Sequence, residues 1–343
     1  QKRMVPRISL HLSVVSASLW IMHSAVPTRT FSTSLHPPRS VLVSGATGRQ
    51  GGAVVDALLA NQKYNVFGLS RNPDSAASKA LKARGVEVLK ADFNDKASVV
   101  SAMQVSCASV FFLVTDFQGA NFNRATEKQH GLNGISAAAE CKSIEFLVFS
   151  SAGACEEVPE AVDAFKSKLA VEQALKQSGL KYAILRPHAF FENFNMPAFP
   201  LKQGVAVGML PPDCRQHYIA CRDIGKAAAA MIDAPSEWSG ETLDCTVGCL
   251  SGHELGVALT QASGEACEYK QSIFFKGIKW CGYFGFLNGI RALIWHLETS
   301  PPPQADADRF KRVVPDALTA EEWFASVAMW SNGQPFKRNA ASL

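Results

Sequence analysis

Between Ser40 and Pro187 the chain alternates short apolar, strand-like runs with stretches of helical length. The runs are 41–44, 65–70, 86–89, 109–114, 144–150 and 182–185. The helix-like stretches between them are 50–59, 76–83, 96–103, 125–141 and 164–177. Strands separated by helices of this length predict βαβ units and an α/β fold with a doubly wound parallel sheet. After Pro187 the alternation breaks. Segments 198–204 and 209–213 are loop-like, while 224–232, opened by Asp223, and 252–263 have helical character. The aromatic run 274–295 is interrupted by Lys276, Lys279 and Arg291, which a membrane span would bury at high cost. It predicts a helix pair packed on the core or lining a pocket. A last helix is expected over 317–324, with Thr319 at or near its N-cap. Residues 188–330 are expected to form a smaller, α-rich C-terminal cap, joined to a 40–187 core rather than independent of it, with 331–343 a tail.

The first run, Val41-Leu42-Val43-Ser44, ends in three evenly spaced glycines, Gly45, Gly48 and Gly51. At Gly45 a tight turn needs a residue without Cβ. Gly48 lets the backbone approach a pyrophosphate, and Gly51 lets the following helix pack closely on the strand. The helix N-terminus adds unpaired N–H groups and a partial positive charge. A plain strand–turn–helix with incidental glycines is the competing reading; the preceding strand and following apolar helix favour a phosphate cradle at Gly45, Ala46, Thr47, Gly48, Arg49, Gln50 and Gly51. The fold is then of Rossmann type. The GxxGxxG spacing resembles that of extended and atypical short-chain dehydrogenase/reductases.

An NAD site places an acid after the second strand, where it accepts from the ribose 2′-OH. Here 65–70 runs into Arg71, and Arg49 lies within the glycine loop. Singly, each arginine is a solvated surface charge. Together at one ribose they suit a 2′-phosphate, which Arg binds bidentately. The expected cofactor is NADP(H). Asp92, after the third strand, either accepts the adenine amino group or serves a turn with Asn94 and Asp95. Thr115 ends the fourth run, at the crevice where such sheets bind ligands.

Short-chain reductases pair a Tyr proton donor with a Lys four residues later; the Lys lowers the Tyr pKa and holds the nicotinamide ribose. Lys168, followed by Glu172, stands in that Lys position, and Ala164 stands where the Tyr belongs. Ser150 and Ser151 end the fifth strand near the Ser of that constellation, but a Ser does not replace a Tyr as acid. On its own, Lys168 reads as a surface i,i+4 pair with Glu172. His188 is either an alternative acid or a pocket-lining loop residue. Phe190 and Phe191 either cover a nicotinamide face or fill the core. Cys155 has no basic neighbour and reads as a structural thiol.

Several pieces together resemble the NmrA-like family of atypical short-chain dehydrogenase/reductases: the 45–51 loop, Ser70-Arg71-Asn72-Pro73, Ala91-Asp92-Phe93, Val114-Thr115-Asp116, Lys168 and Phe190-Phe191-Glu192-Asn193. Residues 317–323 resemble its terminal helix, so the resemblance spans about Ser40 to Met329. It implies NADP(H) bound along the loop and at Arg71, Asp92, Phe93, Val114, Thr115, Lys168, Phe190, Phe191, Glu192 and Asn193. Lys168 and Ser151 are the candidate catalytic groups. In that family several members lack the Tyr and act as redox sensors of NADP(H) that bind regulatory proteins, and others reduce quinones or related substrates, where Lys168 with water, or no protein acid, suffices. The absent Tyr points to a sensor. The alternative is an NADPH-dependent oxidoreductase acting on a quinone or reactive carbonyl.

The 343 residues are 47% hydrophobic and 19% charged, as in ordinary globular proteins. The net charge of +4 owes much to the N-terminus, where no Asp or Glu precedes Asp56, and gives little support for nucleic-acid binding. Residues 1–39 are Ser-rich, contain Arg and lack acids, which predicts a mitochondrial address. The alternatives are a secretory or plastid signal, or a cytoplasmic protein if the chain upstream of Met22 is not translated. Nine cysteines without a CxxC pair predict reduced thiols, with neither a zinc site nor a disulfide framework.

Overall fold

Arg39–Val43 (β1) is an interior strand of a seven-stranded sheet in a computed structural model that describes residues 39–281, 286–327 and 329–337. The expected address segment up to residue 38 and the last residues of the expected tail lie outside the described residues. The strands that follow are Tyr64–Ser70 (β2), Glu87–Lys90 (β3), Val110–Val114 (β4), Phe146–Ser150 (β5) and Tyr182–Pro187 (β6). Between them run helices Arg49–Asn61 (α1), Ala76–Ala83 (α2), Lys96–Ser106 (α3), Arg124–Glu140 (α4) and Asp163–Gln177 (α5). All strand pairs are parallel, in the spatial order β3-β2-β1-β4-β5-β6. The order reverses between β1 and β4, and a crevice opens at the strands' C-terminal ends there.

Both faces of the sheet are covered, which is why its strands are almost continuously apolar. Val41 and Val43 point into the layer containing α1, while Leu42 points into the layer of α3, α4 and α5. All three are fully buried, each contributing about 1.5–3 kcal/mol over an exposed position. The helices start where short polar side chains take the free amides: Asp95 accepts from Ala97 N and Ser98 N, and Asn123 accepts from Thr126 N.

Beyond β6 come Ala189–Phe190 (β7), Leu201–Lys202 (β8), Val205–Gly208 (β9), Arg215–Ile219 (β10), Cys221–Asp233 (α6), Pro235–Trp238 (α7), Thr242–Cys245 (β11), Gly248–Ser251 (β12), Gly252–Ser263 (α8), Glu268–Gln271 (β13), Ile273–Cys281 (α9), Phe286–Thr299 (α10), Ala307–Val313 (α11) and Ala320–Val327 (α12). Part of this region returns to the core. β11 pairs in parallel with β6 as the seventh strand. Helix α6 crosses α1 so closely that a Cβ at Gly225 would lie 2.3 Å from Ala53 O. The core therefore does not end at Pro187. The sequence hides this because Thr242-Leu243-Asp244-Cys245 mixes polar and apolar residues.

The remainder forms the cap. Its helices are joined by two three-stranded sheets, β12-β10-β7 and β13-β9-β8. The helix pair expected near 274–295 is α9 and α10, whose Phe275, Ile278 and Ile294 pack on Leu210. Among the described residues no helix is long and apolar enough to cross a membrane. Thr319 and Glu322 form the reciprocal cap expected at α12: Glu322 N donates to Thr319 Oγ1 (3.3 Å), and Thr319 N donates to Glu322 Oε2 (2.8 Å).

Candidate functional site

The crevice at the end of the sheet encloses about 870 Å³ and runs from Arg71 to His188. Its floor is the glycine loop. Gly45 has φ +58°, in the region that disfavours side chains, and a Cβ there would also meet Val114 Cγ1 at 2.9 Å. Gly48 N donates to Gly45 O at 2.8 Å, closing the turn. A Cβ on Gly51 would lie 2.3 Å from Gly45 O. Gly48 caps α1 with no side-chain hydrogen bond, so the first-turn amides remain available to an anion. Two side chains fix the loop. Ser44 Oγ accepts from Val114 N (2.7 Å) and donates to Val114 O (3.1 Å), locking β1 to β4. Gln50 Oε1 accepts from Ser150 Oγ at 2.6 Å, locking α1 to β5. Thr47 lines the crevice, whereas Ala46 is buried in the core beside Gly68.

At one end, exposed Arg71 lines the crevice and makes no hydrogen bond or ion pair among the described residues. Arg49 is exposed too, and its guanidinium donates to Asn193 Oδ1 at 3.3 Å. Asp92 and Phe93 line the same end. Asp92 Oδ1 accepts from Asn94 N (2.9 Å) and Asn94 Nδ2 (3.0 Å), so the carboxylate organises the turn while facing the crevice.

At mid-crevice, Lys168 Nζ donates to Thr115 O (2.6 Å) and Thr115 Oγ1 (2.7 Å) and pairs with Glu127 Oε1 at 3.0 Å. Glu127, in the first turn of α4, is fully buried. Its Oε1 also accepts from Thr115 Oγ1 at 2.9 Å, and its Oε2 accepts from Ser167 Oγ. This carboxylate escaped sequence reasoning; the only available signal was an acid near the start of the helix after β4. Lys168 is no surface partner of Glu172. That residue is buried on another side of α5, where both its oxygens accept from Arg186, at 3.0 and 2.7 Å.

At the far end are Ser151, Ala164, His188 and Phe190. Ser151 Oγ is buried without a hydrogen bond of good geometry; the Cys155 thiol lies close enough to interact with it. Ala164 occupies the expected Tyr position, and none of Tyr64, Tyr182, Tyr218 and Tyr269 lines the crevice. Cys155 is buried with its thiol toward Glu172 Oε1 (3.6 Å), and burial pushes its pKa up to about 12.

Besides Ala46, three residues expected at the cofactor lie elsewhere. Phe191 is fully buried in the cap, stacked on Tyr218 (centroids 5.4 Å apart) and Trp323 (5.7 Å), because it is the next residue after a strand that turns Phe190 to the crevice. Glu192 Oε1 accepts from Cys221 N (2.9 Å) and Trp323 Nε1 (3.3 Å), which ties α6 to α12. Asn193 Oδ1 accepts from Arg49 of the glycine loop and does not line the crevice. Among the described residues there is no cluster that would hold a metal ion.

The donors and spaces present fit a dinucleotide. Cβ atoms at 45 or 51 would collide with Val114 Cγ1 or Gly45 O and break the turn, and Arg71 stands unengaged in the same crevice. A family model described as the NmrA-like family matches residues 37–279. The NmrA-like family domain-containing oxidoreductase FrzB of Cladobotryum sp is 27% identical over 253 residues, covering 67% of this chain and 75% of its own. Quinone oxidoreductase 2 of Escherichia coli (strain K12) is 26% identical over 239 residues, covering 67% of this chain and 77% of its own. Among solved structures, NmrA, a negative transcriptional regulator in complex with NAD, aligns with a TM-score of 0.71 and 19% identity over 90% of this chain and 99% of its own. The same regulator has been crystallised with NADP. With the family model covering most of its length, the chain belongs to the NmrA-like family.

Proposed function

We propose that this chain binds NADP(H) in the crevice and uses it as an oxidoreductase on a quinone or reactive carbonyl. The observation that carries the reading is the continuity of the crevice. It runs past the glycine cradle to a polar end, where Lys168 is held in place and Ser151 and His188 present buried polar atoms without hydrogen bonds. The glycine loop and first-turn amides of α1 hold the pyrophosphate, Arg71 meets the 2′-phosphate, and Lys168 holds the nicotinamide ribose. Bound NADPH supplies a hydride. Lys168, held by Glu127 and Thr115, keeps the ribose end oriented. The relatives named as oxidoreductases, one of them a quinone oxidoreductase, support this assignment.

A second reading, a redox sensor that binds a regulatory protein, is favoured by Ala164 and by one connection. Arg49 in the cradle bonds Asn193, and its neighbour Glu192 holds both α6 and Trp323 of α12. A ligand that draws Arg49 away acts on that linkage and alters the cap surface. The deciding experiment measures NADPH consumption across quinones and reactive carbonyls, with binding followed by fluorescence. Saturable turnover lost in Lys168→Ala supports the oxidoreductase. Tight binding without turnover supports the sensor.

A further inference from the structure

The proposed reduction needs a proton as well as a hydride, and the position of the usual tyrosine is Ala164. One imidazole stands at that end of the crevice. His188 directly follows β6, its side chain only 7% exposed. Gly153 makes room for it: a Cβ there would lie 2.6 Å from His188 Cε1 and Nε2. Nε2 is buried with no hydrogen bond. His217 is the contrast. Its ring lies 4.9 Å from that of His188, yet Nδ1 is bonded to Thr246 Oγ1 and Nε2 to Pro303 O, both at 3.0 Å. Leaving a buried polar atom unpaired costs about 1–3 kcal/mol, and stability alone gives no reason for it at His188.

Behind His188 lies Asp244, with Oδ1 3.8 Å from Nε2 and about a third of its side chain exposed (32%). Asp244 also lines a second, outer cleft of about 550 Å³ with His217, Gln304 and Asp306. The imidazole thus sits between the crevice and a carboxylate that reaches solvent. Two titratable groups face it, Asp244 from β11 and His217 from β10, while Lys168 lines the same crevice held on Thr115 and Glu127.

We infer that His188 is the proton donor in place of the missing tyrosine, with the nearby Asp244 carboxylate favouring its charged form. The inference rests on the oxidoreductase reading. The acceptor gains a hydride with its electron pair from NADPH, which leaves as NADP+. The acceptor oxygen, now anionic, takes the proton from the His188 imidazolium. The neutral imidazole regains its proton from water once product has left the crevice, and the Asp244 carboxylate 3.8 Å from Nε2 favours the recharged imidazolium.

Two acceptors separate proton from hydride. A p-quinone needs both, whereas a triarylmethane dye cation needs hydride alone. His188→Asn is expected to lower kcat for the quinone by about 100-fold or more, the scale of a lost general acid, and to leave dye reduction within about threefold. Asp244→Asn should lower quinone kcat by about tenfold with KM unchanged. A readout independent of turnover uses protein labelled with 15N-histidine and loaded with NADP+. Adding a hydroquinone should shift the His188 ring nitrogens and leave those of His217 in place. Equal losses on both acceptors, no loss on either, or an unmoved His188 signal would overturn the assignment. A wild-type protein that reduces neither acceptor overturns the oxidoreductase reading itself, and the donor role with it. That failure appears in the wild type, not in the variants.

Discussion

Lys168 Nζ lies 3.0 Å from Glu127 Oε1, and that carboxylate has no exposed surface. The pair joins α4 to α5 directly beneath the crevice, with Thr115 and Ser167 taking the remaining hydrogen bonds. A cation held this way has its position set by the protein alone.

Removing one partner of such a pair strands the other. Glu127→Ala should destabilise the fold by roughly 3–5 kcal/mol, seen as a lower urea midpoint at unchanged slope. Replacing both groups by apolar ones, as in Glu127→Leu with Lys168→Met, should cost less than the single change, because no uncompensated charge stays buried.

Arg71 has no competing partner in the described structure, so its guanidinium is available to a 2′-phosphate. Arg71→Glu should weaken NADPH binding by about 1.5–3 kcal/mol or more and leave NADH binding nearly unchanged, measured by fluorescence titration. Equal losses for both nucleotides would remove the 2′-phosphate assignment.

Neighbouring glycines in the loop should respond differently. At Gly51 a Cβ would sit 2.3 Å from Gly45 O, a backbone atom that cannot yield cheaply; at Gly52 it would sit 3.5 Å from Ala46 O, an ordinary contact. Gly51→Ala should abolish dinucleotide binding and lower the melting temperature. Gly52→Ala should retain both, checked by thermal unfolding with and without NADP+.

The thiols offer a test by pH. Burial, with Glu172 nearby, pushes the Cys155 thiol up to about 12 from its ordinary 9.0, which keeps it neutral at pH 8. Iodoacetamide at pH 8 should label exposed Cys107 and leave Cys155 unmodified, as read by mass spectrometry. Because the folded pKa is the higher one, the neutral thiol's contribution is complete below about pH 9 and is lost as pH rises toward 12. Cys155→Ala should flatten that alkaline loss.

The sheet was legible because buried parallel strands announce themselves as apolar runs: Val110, Phe111, Phe112 and Leu113 are at most 1% exposed. The cradle was legible because its constraint is local, three glycines within seven residues. What escaped depends on distant partners. Glu127 looks like any acid in a first helical turn until folding brings Lys168 to it. Phe190 and Phe191 are chemically alike, and only the backbone direction sends one to the crevice and the other beneath Trp323. His188 stayed ambiguous because its meaning rests on Asp244, in a strand too short and too mixed in composition to be recognised.

That same strand, β11, sets an order of events during synthesis. A ribosome that has delivered everything up to Pro187 has made six strands, yet β6 still presents an open edge, and the surface of α1 that α6 covers faces water. The nascent chain must keep that edge from pairing with neighbours until Thr242–Cys245 emerges and docks. Chains stopped near residue 187 should therefore aggregate, and chains extended past Cys245 are the first that can seal the sheet.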